Sequence, residues 1–171
     1  MTVANFAVID IQYFLDNDGE IIVKELAVVS EDNSNLKVFK NPFPWTMLTK
    51  KRRKSNFWTT TNHHGIHWNY GHIPYSELPI ILASLCNNFE QLFTKGHEKR
   101  EFLQRLLQRD VLDINEFIDP VDFKNERYES YFHCKHHHNI MSIKKCALKQ
   151  ALSYKSYIEE NNHLFPVFFN N

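Results

Sequence analysis

Two apolar runs near the start of the chain, joined by a tight turn, constrain its fold more than any other feature. Residues 6–14 read FAVIDIQYF, β-branched and aromatic with one acid in the middle, and predict a central strand. Asp16-Asn17-Asp18-Gly19 follows, and Asp-Gly is a strong turn signal. Residues 20–30, EIIVKELAVVS, predict a second strand that pairs antiparallel with the first. After a polar turn at 31–35, residues 36–40 predict a third strand, ended by Pro42 and Pro44.

Residues 45–73 show no apolar period. Trp45, Phe57, Trp58, Trp68 and Tyr70 are scattered among polar residues, and the segment is expected to be a long irregular loop. Apolar residues at helical spacing then return in Leu78, Ile81, Leu82 and Leu85. Residues 91–94 predict a short strand, 98–109 a helix, 110–117 a fifth strand and 143–158 a last helix. The order β-β-β-α-β-α-β-α requires a mixed sheet with helices on its faces. Right-handed crossovers place the last two strands beside the first. The expected fold is therefore α/β: an RNase H-like mixed five-stranded sheet, three antiparallel strands followed by αβ units.

The 171 residues suit one domain over 1–171, with a short apolar tail at 160–171. Apolar residues make up 43% of the chain, which excludes a disordered composition. The formal net charge is zero, so any nucleic-acid attraction must come from a local patch. Three cysteines argue against a disulfide framework and for a reducing compartment. With no signal-peptide pattern and no apolar run of membrane-spanning length, the expectation is an intracellular protein, cytoplasmic or nuclear, without a membrane partner.

Two-metal nucleases of the RNase H-like fold carry an Asp-x-Glu pair on the first strand. Side chains at i and i+2 share a face there and together hold two divalent cations. Here the pair reads Asp10-Ile11-Gln12, and an amide is a poor ligand for Mg²⁺. Asp113 is a second candidate acid. The exonuclease pattern also needs an Asp five residues after a His, but Ser142 and Ile143 stand five residues after His137 and His138. No catalytic residue is expected. Asp10 and Asp113 are candidate relics, Asp10 hydrogen-bonded at the sheet edge.

Histidines cluster at His63, His64, His67 and His72, and again at His133 and His136-His137-His138. Cys134-x2-His137 has zinc-knuckle spacing, and Cys146 at a helix start can supply a third ligand. The helix N-terminus favours its thiolate. The plain alternative is surface histidines and two buried thiols. His63, His64, His67 and His72 lack a cysteine, and are expected to support packing around Gly65 and Trp68 rather than a second metal.

The segments IDIQ (9–12), KELA (24–27), HHG (63–65), TKGHEK (94–99), VLDI (111–114), CKHH (134–137) and CALKQA (146–151) together resemble the Maelstrom domain. This is a group of exonuclease-like proteins of animals, some associated with transposons. The resemblance spans about residues 6–158. It implies that the exonuclease carboxylates are replaced by a Glu-Cys-His-Cys set holding one structural zinc. Carried over, those ligands are Glu25, Cys134, His137 (or His138) and Cys146. Many relatives carry Cys-Pro where this chain has Asp119-Pro120, which leaves Asp119 as an alternative oxygen ligand. The resemblance also implies RNA binding, in piRNA-type transposon silencing, and leaves residual ribonuclease activity open.

Lys50-Lys51-Arg52-Arg53-Lys54 is a run of five cations followed by Phe57 and Trp58. Cations attract phosphate and aromatics stack on bases, so Lys50–Lys54 with Trp58 are the candidate surface for single-stranded RNA. The other readings are a nuclear-localisation signal or a solvated loop. The tail Leu164-Phe165-Pro166-Val167-Phe168-Phe169 either docks a protein partner or packs back on the sheet. Three functions follow as expectations: a catalytically degenerate RNA-binding module, a protein-interaction scaffold, or an active metal-dependent ribonuclease using Asp10 and Asp113.

Overall fold

The computed structural model describes residues 5–118, 134–137 and 145–165. Five strands form one sheet in the order β3-β2-β1-β4-β5. They are β1 (Phe6–Leu15), β2 (Ile21–Val29), β3 (Ser34–Val38), β4 (Gln91–Thr94) and β5 (Leu112–Asp113). β1 pairs antiparallel with β2 and parallel with β4, β2 pairs antiparallel with β3, and β4 pairs parallel with β5. This is the mixed sheet that the element order requires. The fifth strand is two residues long rather than spanning 110–117, because Asp113 ends it by accepting the Asn115 N–H and opening a 3₁₀ turn, Ile114–Glu116.

Both faces of the sheet are covered. α2 (Leu78–Cys86) and α3 (His97–Leu107) pack Leu78, Leu82 and Leu103 against Ala7, Ile9, Ile11, Leu26 and Val28. On the other face, α4 (Ala147–Glu160) presents Ala147, Ala151, Tyr154 and Ile158 to Phe6, Val8, Ala27 and Val29. Those four positions recur at i, i+4, i+7 and i+11, the stripe of a helix seated on a sheet. Phe165, just beyond α4, is fully buried and stacks edge-on against Phe93. The start of the apolar tail therefore packs back on the sheet, whereas Pro166 onward lies outside the described residues.

Alternation along β2 breaks at Lys24. Glu25, Ala27 and Val29 face α4, yet Val23 joins Leu26 and Val28 on the opposite face. Pairing explains it: Gln12 opposes Glu25 and Tyr13 opposes Val23, so Lys24 is the extra residue of a β-bulge. The bulge turns its side chain into the interior, where the ammonium donates to the carbonyls of Phe39, Trp68 (3.0 Å) and Tyr70. Burial lowers its pKa to about 8. This contact ties the Trp68–Tyr70 segment to the sheet. The chain then runs so close to the end of β3 that a Cβ on Gly71 (φ +149°) would lie 2.2 Å from the Phe39 carbonyl oxygen.

Residues 45–73 are not one irregular loop. They contain α1 (Lys50–Thr59) and a π-helical turn, Thr60–His64, closed by Gly65 in the left-handed region. α1 escapes periodicity analysis because it has no apolar stripe, and its one buried residue is Asn56. That amide donates to the Leu15 carbonyl (2.8 Å) and accepts the Leu15 N–H (3.2 Å), extending β1 by a side chain. Thr49 caps the helix by accepting the Arg52 N–H. No helix among the described residues is long and apolar enough to cross a membrane.

Candidate metal centre and the strand-one carboxylate

Glu25 on β2, Cys134 and His137 on one short segment, and Cys146 at the N-cap of α4 converge although they are far apart in sequence. Their ligand atoms all lie within 4.8 Å of one another, and all four residues are buried. Two thiols, an imidazole and a carboxylate are the donor types that tetrahedral zinc takes, and softer than Mg²⁺ or Mn²⁺ prefer.

The surroundings hold each donor in a ligating posture. Glu25 Oε1 accepts the Ala147 N–H at 2.6 Å, which leaves Oε2 facing inward, 2.9 Å from the Cys134 sulfur. His137 Nδ1 donates to the carbonyl of His64, so Nε2 is the nitrogen turned to the centre, 3.1 Å from Glu25 Oε2. A carbonyl on the outer nitrogen is the usual partner of a metal-binding histidine. Gly65 fixes the end of the π-helical turn that offers this carbonyl.

Protonation follows the same geometry. The Cys134 S–H donates to Glu25 Oε2, and the neighbouring Cys146 sulfur together with burial pushes the Cys134 pKa up. Contact with Cys134 and with the His137 side chain pushes the Cys146 pKa down, against burial. Burial alone would lower the pKa of His137, but Cys146 and Glu25, both acceptors for it, push it up to about 10. A divalent cation here would take the place of protons in balancing these groups. The Ala147 N–H, first of α4, is satisfied here by Glu25, so the site caps the helix as well. His138 and Asp119, the alternative ligands, lie outside the described residues.

Asp10 stands on the same sheet face as Gln12 and is fully buried. The Gln12 amide donates to Oδ2 at 3.1 Å, and the Lys99 ammonium donates to Oδ1 at 2.6 Å. Burial raises the Asp10 pKa, and Lys99 opposes that rise. Lys99 can reach because β4 pairs with β1 only as far as Val8, so the first turn of α3 sits beside the open stretch of β1. Asp113 accepts the N–H groups of Gly96 and Asn115 at 3.0 Å each, a backbone-capping role.

Lys50–Lys54 form the first turn and a half of α1 rather than a loop. Lys50, Lys51 and Lys54 are exposed, and Arg52 and Arg53 half-buried. Trp58 is 59% exposed and Phe57 65%, whereas Trp68 is buried with Phe14, Ile22 and Leu48. The scattered aromatics therefore divide into surface and core. His64 is buried edge-on against Phe14 and accepts the Ile66 N–H on Nδ1, a packing role. Burial lowers its pKa to about 3. Sequence reading did not find Lys99 and Lys24, since both look like ordinary surface cations until the fold places them.

No family model matches the chain, and no curated protein does. Among solved structures, it is similar to the Mopeia virus exonuclease domain partially complexed with manganese, with TM-score 0.56 and 18% identity over 94% of this chain and 79% of that one. The same viral domain depleted of manganese gives TM-score 0.55 and 16% identity with the same coverage. The chain therefore has the α/β fold of these viral exonuclease domains, a mixed five-stranded sheet flanked by helices.

Proposed function

We propose that this chain is a catalytically degenerate exonuclease-fold module that binds single-stranded RNA and is braced by one structural zinc. The observation that carries the reading is the occupancy of Asp10. Both carboxylate oxygens are taken by internal donors, and one of those donors is itself a cation. A divalent metal at this carboxylate would have to displace Lys99 and would find an amide where the second carboxylate is needed. This argues against the active ribonuclease that Asp10 and Asp113 would otherwise suggest.

The zinc, held by Glu25, Cys134, His137 and Cys146, would supply cross-linking rather than chemistry. Four protein ligands leave no open position for a reactive water. It would fasten β2, the 134–137 segment and α4.

RNA binding rests on α1. Four cations and no acid occupy its first turn, where the helix dipole disfavours positive charge. Such an arrangement costs local stability and matches a phosphate-binding surface. The manganese-bound viral domain of the same fold adds support for a nucleic-acid partner. Transposon silencing in the nucleus or cytoplasm is the setting that the Maelstrom resemblance implies.

The test is a binding and degradation assay with single-stranded RNA and Mn²⁺. RNA should be bound but not shortened, and Lys50→Ala/Lys51→Ala/Lys54→Ala should weaken binding and flatten its salt slope by about 2. Mn²⁺-dependent shortening abolished by Asp10→Ala would overturn the degenerate reading. Unchanged binding by the triple variant would overturn the surface.

A further inference from the structure

α1 separates two cavities, and its two exposed aromatics point to different ones. Ser55, Asn56, Trp58 and Thr59 line a cleft of about 190 Å³ that also touches Gln12. Phe57, Thr60 and Thr61 line a second cavity of about 660 Å³, completed by Trp45, His67, Trp68 and Asn69. The division is helical geometry: Phe57, Thr60 and Thr61 are spaced i, i+3 and i+4, one face of a helix, and Ser55, Trp58 and Thr59 repeat that spacing on the other side.

We propose that the larger cavity receives one unstacked base of the strand bound along α1, an inference that rests on the RNA-binding reading above. Its walls are aromatic. Trp45 and Trp68 meet at right-leaning angles (ring centroids 5.4 Å apart, 66° between planes), and the Phe57 ring stands largely exposed at the margin. A flat aromatic guest stacks on the exposed Phe57 ring whatever its sequence, with Trp45 and Trp68 closing the wall behind it. The exposed Asn69 amide offers a donor and an acceptor at the rim, which suits the edge of a base better than an aliphatic side chain. The volume is that of a small-molecule pocket.

Charge complementarity identifies the guest as part of a polyanion. Arg53 and Lys54 precede Phe57 by four and three residues, so both residues lie about one helical turn from Phe57 on the same face of α1. A phosphate held by these cations leaves its own base within reach of Phe57. The π-helical turn Thr60–His64 continues this face, and such turns recur at functional sites.

The experiment uses the full chain and a short oligoribonucleotide carrying one 2-aminopurine. The wild-type chain should bind it and quench its fluorescence. Phe57→Ala should weaken binding about tenfold and relieve the quenching while the salt slope stays unchanged. Phe57 is exposed and alanine favours helix, so this variant should fold, which thermal melting checks. If Phe57→Ala changes nothing but Lys50→Ala/Lys51→Ala/Lys54→Ala weakens binding, the base pocket is overturned and the RNA reading stands. If neither variant affects binding, both fall. Phe57-dependent binding of a labelled acidic, aromatic peptide without binding of the oligonucleotide would assign the cavity to a protein ligand and overturn the proposal.

Discussion

The Lys99 ammonium lies 2.6 Å from Oδ1 of Asp10, across 89 positions of sequence, and the carboxylate it meets is fully buried. Removing one member of a buried pair leaves the other charge uncompensated. Lys99→Met should therefore cost about 3 kcal/mol of unfolding free energy near neutral pH. Without Lys99, the folded-state pKa of Asp10 rises further above its ordinary 3.8. The folded chain then keeps a proton that the unfolded chain releases, so the variant loses stability as pH rises through that interval and regains it on acidification. Urea unfolding at pH 5 and pH 8 checks this, and an equal deficit at both pH values would contradict it.

The same contact makes a gain-of-function prediction. Gln12→Glu combined with Lys99→Ala would restore two carboxylates on one strand face and remove the competing cation. Titration calorimetry should then detect Mn²⁺ binding that the unaltered chain lacks. Gln12→Glu alone should bind no Mn²⁺, since Lys99 would still occupy the pair. Failure of the double variant to bind Mn²⁺ would show that Lys99 and Gln12 are not what closes this site.

Lys24 holds three backbone carbonyls from two segments. Lys24→Met keeps the length of the side chain but removes every donor, leaving those buried oxygens without it. Each orphaned acceptor carries a desolvation cost, so a loss of about 2–4 kcal/mol is expected by urea unfolding. The Trp68–Tyr70 segment should loosen with it, seen as faster amide exchange at residues 68–73. A loss below about 0.5 kcal/mol would mean that the bulge does not need its lysine.

Much of this architecture was legible in the sequence, and the reasons for the remainder are physical. The β1–β2 hairpin showed in apolar runs flanking an Asp-Gly turn, and α3 and α4 showed in apolar periodicity. α1 did not show, because it is held by the Thr49 cap and by Asn56 on the Leu15 backbone rather than by an apolar face. The bulge at Lys24 did not show, because a one-residue insertion in pairing leaves no mark on a strand that is buried on both sides. Cys134, His137 and Cys146 stood out by spacing, but Glu25 reached the candidate set only through family resemblance. Its neighbour Cys134 is 109 positions away, a distance that no local pattern spans.

The central claim is that metal chemistry in this chain has passed from the strand-one carboxylate to a closed Glu-Cys-His-Cys brace. Elemental analysis of the purified chain tests this most directly, run beside the Cys134→Ser and Asp10→Ala variants. The account predicts one equivalent of zinc in the unaltered chain and in Asp10→Ala, loss of that zinc in Cys134→Ser, and no manganese in any of them. Absence of zinc from the unaltered chain, or manganese that disappears with Asp10→Ala, would contradict it.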